Sequence, residues 1–188
     1  MARFVPRKFE VRKEREIKHS DLDKPVLFYD EDKVFELIAA TKNPLVLVLD
    51  SIQDPHNLGA CLRTADGAGV TAVIVSRHNT APLSEAARRV ACGGAENVPF
   101  VRATNLSHII RKLKETGLWI VGTTDKCEQS LYDLDLSGPI ALVLGGEGEG
   151  CRRLTLENCD YLAKIPMAGA VPCLNVSVST GVCLYEAV

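Results

Sequence analysis

The chain has 188 residues, enough for one domain of ordinary size with a short appendage. Apolar residues make up 46% and aromatic residues 5%, which favours a core of Val, Ile, Leu and Ala such as buries parallel strands. A net charge of −2 excludes a uniformly basic coat, while leaving room for one basic face on an acidic whole.

Residues 1–24 carry Arg3, Arg7, Lys8, Arg12, Lys13, Arg15, Lys18 and Lys24 among acids and few large apolar groups. This reads as a basic arm, either merely solvated or in contact with RNA. It has no apolar segment fit for a signal peptide, and no run of the chain is long enough to span a bilayer. A cytoplasmic protein with no membrane partner is therefore expected. Residues 31–41 read as one short lead-in helix, so residues 1–43 form the arm with that helix and residues 44–188 the domain.

From Pro44 the pattern alternates. Residues 44–50, 71–76, 118–124, 139–145 and 161–166 read as buried strands. Helices are expected at roughly 57–69, 83–92, 104–116 and 152–159, with a last one over about 175–188. The helix at 104–116 has the fullest set of signals: Thr104 or Asn105 as cap, Leu106, Ile109, Ile110 and Leu113 as apolar stripe, and Gly117 as stop. Such alternation implies an α/β fold whose mostly parallel sheet is flanked by helices. Ligands of such sheets gather at the carboxyl ends of the strands, so chemistry is expected just after Asp50, Thr123, Gly145 and Pro166. The seven cysteines (61, 92, 127, 151, 159, 173 and 183) include no CxxC pair, which points to buried reduced thiols and no metal site.

Three segments carry candidate chemistry. In LDSIQDPHNLGACLRTADGAG, Asn57 is expected as a helix cap, with Arg63 six residues on and both facing the strand ends. An Asn, a small residue and an arginine fork at a helix start suit a phosphate or ribose, and equally an ordinary capped helix. In ALVLGGEGEGCRR, a strand runs into glycines that admit a ligand to the backbone. The spacing of Gly145, Gly146, Gly148 and Gly150 is not GxGxxG, and the Lys-Ser/Thr ending of a P-loop is missing. Glu147 between glycines is either a site carboxylate or an exposed turn. In AKIPMAGAVPCLNVSVSTG, Asn175, Ser177, Ser179 and Thr180 open an apolar helix, as caps or as site groups.

NLGACLRTADGAG, LVLGGEGEG and IPMAGAVPCLNVSVSTG resemble, in order and spacing, the three motifs of the SpoU (TrmH) family of RNA ribose 2′-O-methyltransferases. The resemblance covers residues 44–188, and the text between the motifs looks most like the bacterial branch that methylates a guanosine of 23S rRNA. It implies a C-terminal trefoil knot, S-adenosylmethionine as cofactor, and a homodimer whose site is completed across the interface. Carried onto matching positions, it places the cofactor against Gly145, Ile165 and Leu174, with Thr123 and Gly146 beside them. The catalytic group it implies is Asn57, Arg63, Glu147 and Asn175, with Ser177 sharing a duty that many members give to a serine where this chain has Cys173. That branch usually has an N-terminal RNA-binding domain as well; either the arm takes over docking or the domain lies outside this chain.

A guanidinium is a reluctant base. Arg63 is therefore expected chiefly to bind the 3′-phosphate and orient the hydroxyl, held in place with the cofactor loop by Asn57 and Glu147. Arg88, Arg89, Arg152 and Arg153 are further candidates for RNA contact. A tRNA substrate and a non-catalytic RNA-binding or ribosome-assembly module on the same fold are the competing readings.

Overall fold

The computed structural model describes residues 25–26 and 28–188; the basic arm expected over residues 1–24 lies outside them. Six strands form one sheet: β1 (Leu45–Asp50), β2 (Ala72–Ser76), β3 (Phe100–Ala103), β4 (Trp119–Thr123), β5 (Ile140–Gly145) and β6 (Tyr161–Ala163). Their order is β3-β2-β1-β5-β4-β6, and every neighbouring pair is parallel.

Both faces of the sheet are covered, because β1 is apolar at successive positions and must bury both sides. Leu45, Leu47 and Leu49 share one core with Leu58, Cys61, Leu62 and Ala65 of α2 (Pro55–Gly67) and Cys183 and Leu184 of α7 (Val176–Glu186). Val46 and Val48 point the other way, into a core with Val34 and Ile38 of α1 (Glu31–Ala40) and the stripe Leu106, Ile109, Ile110 and Leu113 of α5 (Leu106–Glu115). Asn105 caps α5 by accepting from the His108 amide at 3.1 Å, and Gly117 ends it at φ 90°. Two short helices, α3 (Glu85–Ala91) and α4 (Gly94–Asn97), pack on α2; α6 (Arg153–Glu157) follows β5.

The expected strand at 161–166 stops at Ala163, after which Lys164 pairs with Ser130. The sequence pattern passed over β3 and α4. β3 has only four residues, with Pro99 before it and the half-buried Arg102 inside, so its apolar run is too short to register. Its outer edge is occupied by the segment before α1, where the Tyr29 amide donates to the Phe100 carbonyl at 3.0 Å.

The chain builds β1, β2 and β3 outward in one direction, then crosses over and inserts β5 between β1 and β4. The carboxyl ends of β1 and β5 therefore lie side by side where the strand order reverses, with Asp50 opposite Gly145. After β6 the chain runs through residues 164–175 and returns as α7 to pack on α2 and β5. Among the described residues, no helix is long and apolar enough to cross a membrane.

Candidate active site

The cap of α2 is Asp54, whose side chain accepts from the His56 amide at 2.9 Å, with Pro55 in the first turn. Asn57 is thus inside the helix rather than at its cap as expected, and its amide is free to point elsewhere. Its Nδ2 donates to Glu147 Oε1 at 2.7 Å. At the start of α7, Asn175 donates from Nδ2 to the same Glu147 oxygen at 2.7 Å and to Asn57 Oδ1 at 3.1 Å. The three segments singled out in the sequence meet in this one triangle of side chains.

Ser177 fixes the triangle's orientation. Its backbone amide and its hydroxyl both donate to Asn175 Oδ1, at 2.9 and 2.6 Å, which turns the Asn175 NH2 toward Asn57 and Glu147. Glu147 Oε2 has no hydrogen bond among the described residues, so one carboxylate oxygen remains to accept from a ligand. Asn57, Glu147 and Val176 line a cleft of about 410 Å³ together with Ser51, Ile52, Gln53 and Asp54. The cleft is within the size range of small-molecule sites.

The loop that carries Glu147 is anchored by a group whose role the sequence reading missed. Asp50 is fully buried, and its carboxylate accepts four hydrogen bonds. They come from Ser51 Oγ (3.0 Å), Arg152 Nε (2.8 Å), the Arg152 amide (3.0 Å) and Thr155 Oγ1 (2.7 Å). The signal was present, since an acid ending the apolar run LVLVLD must find partners once buried. Apart from the adjacent Ser51, those partners lie 102 and 105 residues further along.

Gly145 and Gly146 have a structural reason of their own. A Cβ on Gly145 would lie 2.0 Å from the Cys151 nitrogen, and one on Gly146 would lie 2.1 Å from the Ser51 carbonyl oxygen. The protein's own backbone, closing the loop through the Gly146–Gly150 bridge, requires these two glycines, independently of any ligand.

Arg63 lies apart from the triangle. Six residues advance roughly 600° around a helix, so its side chain leaves α2 about 120° away from that of Asn57. Asn57 is buried and Arg63 is exposed, and Arg63 has no hydrogen bond or ion pair among the described residues. The expectation that both face the strand ends, with Asn57 and Glu147 holding Arg63, is therefore corrected: those two bond each other and Asn175.

The four other candidate arginines, Arg88, Arg89, Arg152 and Arg153, have structural partners. Arg88 donates to the buried Glu96 of α4 at 2.7 Å, Arg89 pairs with Glu85, Arg152 with Asp50 and Arg153 with Glu157. At the end of β4, Thr123 donates to the Val143 carbonyl of β5 at 3.1 Å; Ile165, two residues past β6, and Leu174, just before Asn175, have half-buried side chains. Residues 165–174 contain no charged side chain, and most of them are exposed. Cys173 is exposed as well, unlike the buried Cys61, Cys151 and Cys183.

The profile of the SpoU rRNA Methylase family matches residues 44–185. The chain belongs to that family. A relative, the 23S rRNA (guanosine-2'-O-)-methyltransferase RlmB of Pseudomonas putida, is 55% identical over 165 residues, covering 87% of this chain and 66% of that protein. The AdoMet-bound rRNA methyltransferase from Sinorhizobium meliloti superposes with a TM-score of 0.73 at 31% identity, over 80% of this chain and 59% of the other. The TrmH/SpoU tRNA modifying enzyme of A. aeolicus gives 0.70 at 29% identity, over 84% of this chain and 81% of that one. The chain thus spans about two thirds of the length of the P. putida relative and about three fifths of the S. meliloti protein.

Proposed function

We propose that this chain carries the catalytic domain of an S-adenosylmethionine-dependent enzyme that methylates a ribose 2′-hydroxyl of RNA, with a guanosine of 23S rRNA as its target. The observation that carries the reading is the Asn57–Glu147–Asn175 triangle, in which all three family motifs converge at the switch point of the sheet. The identity with the RlmB of P. putida supports the guanosine.

The residues present fit the cofactor. An uncharged loop over 165–174, with Ile165 and Leu174 half-buried, suits a neutral heteroaromatic ring. Thr123, Gly145, Gly146, Ile165 and Leu174 would hold it, the glycines by backbone groups alone. When bound, the sulfonium supplies an electrophilic methyl group.

The chain's own residues then have separable duties. Asn57, Asn175 and Ser177 lock Glu147 in one orientation, leaving one oxygen to position a hydroxyl or an amine of the ligands. Arg63, without a partner among the described residues, binds the phosphate next to the target ribose and orients the 2′-oxygen; positioning of this kind supplies much of the acceleration in such displacements. We infer further that the return of residues 164–186 onto α2 is threaded as a knot. The working form is read as a homodimer in the cytoplasm; α7 leaves Val178 and Tyr185 more than half exposed, which supports a second subunit there.

Incubating the chain with labelled S-adenosylmethionine and separated rRNA and tRNA, then mapping the product by its resistance to alkaline cleavage, tests the reading. Label at a 23S rRNA guanosine is expected. Label in tRNA alone selects the tRNA reading, and no label with cofactor binding intact selects a non-catalytic RNA-binding module.

A further inference from the structure

A second cleft, of about 540 Å³, opens between the amino ends of α5 and α6. It lies at the carboxyl end of the sheet like the first, but on the face covered by α1 and α5. Its walls include Thr104, Asn105, Ser107, Arg152, Arg153 and Leu154, and among the described residues no carboxylate lines it. The catalytic cleft, by contrast, includes Asp54 and Glu147.

The cations in this cleft are available in an unusual way. The guanidinium of Arg152 is tied to Asp50 through Nε alone, so its two Nη groups have no hydrogen bond among the described residues. The tie holds the guanidinium in one place and leaves its outer edge presented, which lowers the ordering cost of engaging an anion. Among the described residues, Arg153 is ion-paired with Glu157 of its own helix, with both side chains at least half exposed. Such a pair is worth little in water and yields readily to a phosphate. Ser107 Oγ donates to the Leu154 carbonyl at 3.3 Å and joins the two walls.

One loop serves both clefts. Glu147 at its start belongs to the catalytic triangle, and Arg152 at its end belongs to the second cleft. Five residues span at most roughly 18 Å, and the Gly146–Gly150 bridge folds the loop shorter than that. A strand with its ribose at Glu147 therefore has a backbone phosphate within reach of Arg152 a few nucleotides away.

We propose that the cleft between α5 and α6 binds a backbone phosphate of the RNA strand flanking the methylated nucleotide, with Arg153 and the Nη edge of Arg152 as its cations. The proposal rests on the RNA-methylating reading above and adds to it the path of the strand, across the Glu147 loop from one face of the sheet to the other.

The test is equilibrium binding of fluorescent single-stranded RNA oligonucleotides of graded length to the full chain over a range of salt concentrations. Arg153→Gln removes one cation and Thr104→Lys adds one at an exposed position on the same wall. Arg153→Gln is expected to lower the slope of log K against log salt by about 0.7 to 1, a loss of roughly five- to tenfold at 0.1 M salt. Thr104→Lys is expected to move both in the opposite direction, and an oligonucleotide too short to reach the cleft is expected to respond to neither. Unchanged slopes in both variants, or equal losses with the shortest RNA, overturn the proposal while methyl transfer by the wild type keeps the functional reading. A wild-type chain that binds none of these RNAs overturns both.

Discussion

Replacing Asp50 by Asn tests whether the buried carboxylate holds the Glu147 loop. The substitution keeps the shape, so its cost is electrostatic. Of the four donors that converge on Asp50, the Ser51 and Thr155 hydroxyls can rotate and adapt. The Arg152 amide and Nε cannot, and they bond different carboxylate oxygens. An asparagine has one carbonyl oxygen, so one of these two N–H groups must face an NH2. An orphaned donor costs about 1–3 kcal/mol, and the pairing with Arg152 is weakened as well. The total comes to about 3 kcal/mol, below the cost of about 3–5 for deleting a buried ionic partner outright. For a domain of this size that lowers Tm by roughly 6–12 °C. Thermal melts of the wild type, Asp50→Asn, Arg152→Gln and the double variant make the measurement. The double variant is expected to melt close to the worse single variant, because the two groups act as a pair. Methyl transfer is expected to fall in Asp50→Asn at temperatures where the fold persists, since Glu147 rides on the same loop. A melt within two degrees of the wild type would refute the reasoning, and so would strict additivity.

A methyl group on Gly145 would sit 2.0 Å from the Cys151 nitrogen, so Gly145→Ala must open the loop. Loss of both methyl transfer and several degrees of Tm is expected in that variant. Arg63→Gln should leave stability within about 0.5 kcal/mol, because the side chain is exposed and unpaired among the described residues, while RNA affinity and transfer fall. Urea melts beside RNA binding and methyl transfer read both effects. The buried thiols Cys61, Cys151 and Cys183 and the half-buried Cys159 predict alkaline sensitivity. Burial raises Cys61 to about 11 and Cys159 and Cys183 to about 12, from an ordinary value of 9.0, and pushes Cys151 up as well. These groups stay neutral in the fold after their unfolded counterparts have ionised. Their contribution is complete below pH 9 and is lost as pH rises toward the folded values. Each costs up to about 1.4 kcal/mol per pH unit in that window. Cys159→Ala should therefore show a shallower decline in urea stability from pH 9 upward than the wild type, and an identical decline would count against the assignment.

What was legible in the sequence acts over short distances along the chain. The Asn105 cap, the Leu106–Leu113 stripe and the Gly117 stop are all set within about a turn of the residues that signal them, and the structure has all three. β1, β2 and β5 were legible because an unbroken apolar run longer than four residues has few other homes. β3 fell below that length and drew its identity from pairing with β2, which no local signal records. The site shows the same division. The residue types at Asn57, Glu147 and Asn175 were legible from the resemblance. Their mutual bonds join positions 90, 28 and 118 residues apart, beyond the reach of any pattern in a single sequence. The misassigned cap illustrates the difference: Asn57 and Asp54 are both competent caps in the sequence, and what decides between them is the long-range demand of Glu147 for a donor. That demand also separates the site residues by duty. Asn57, Asn175 and Ser177 spend their hydrogen bonds on protein partners and so can orient but scarcely reach outward. Arg63 and one oxygen of Glu147 have no partner among the described residues, and they are the groups left to meet a phosphate and a ribose.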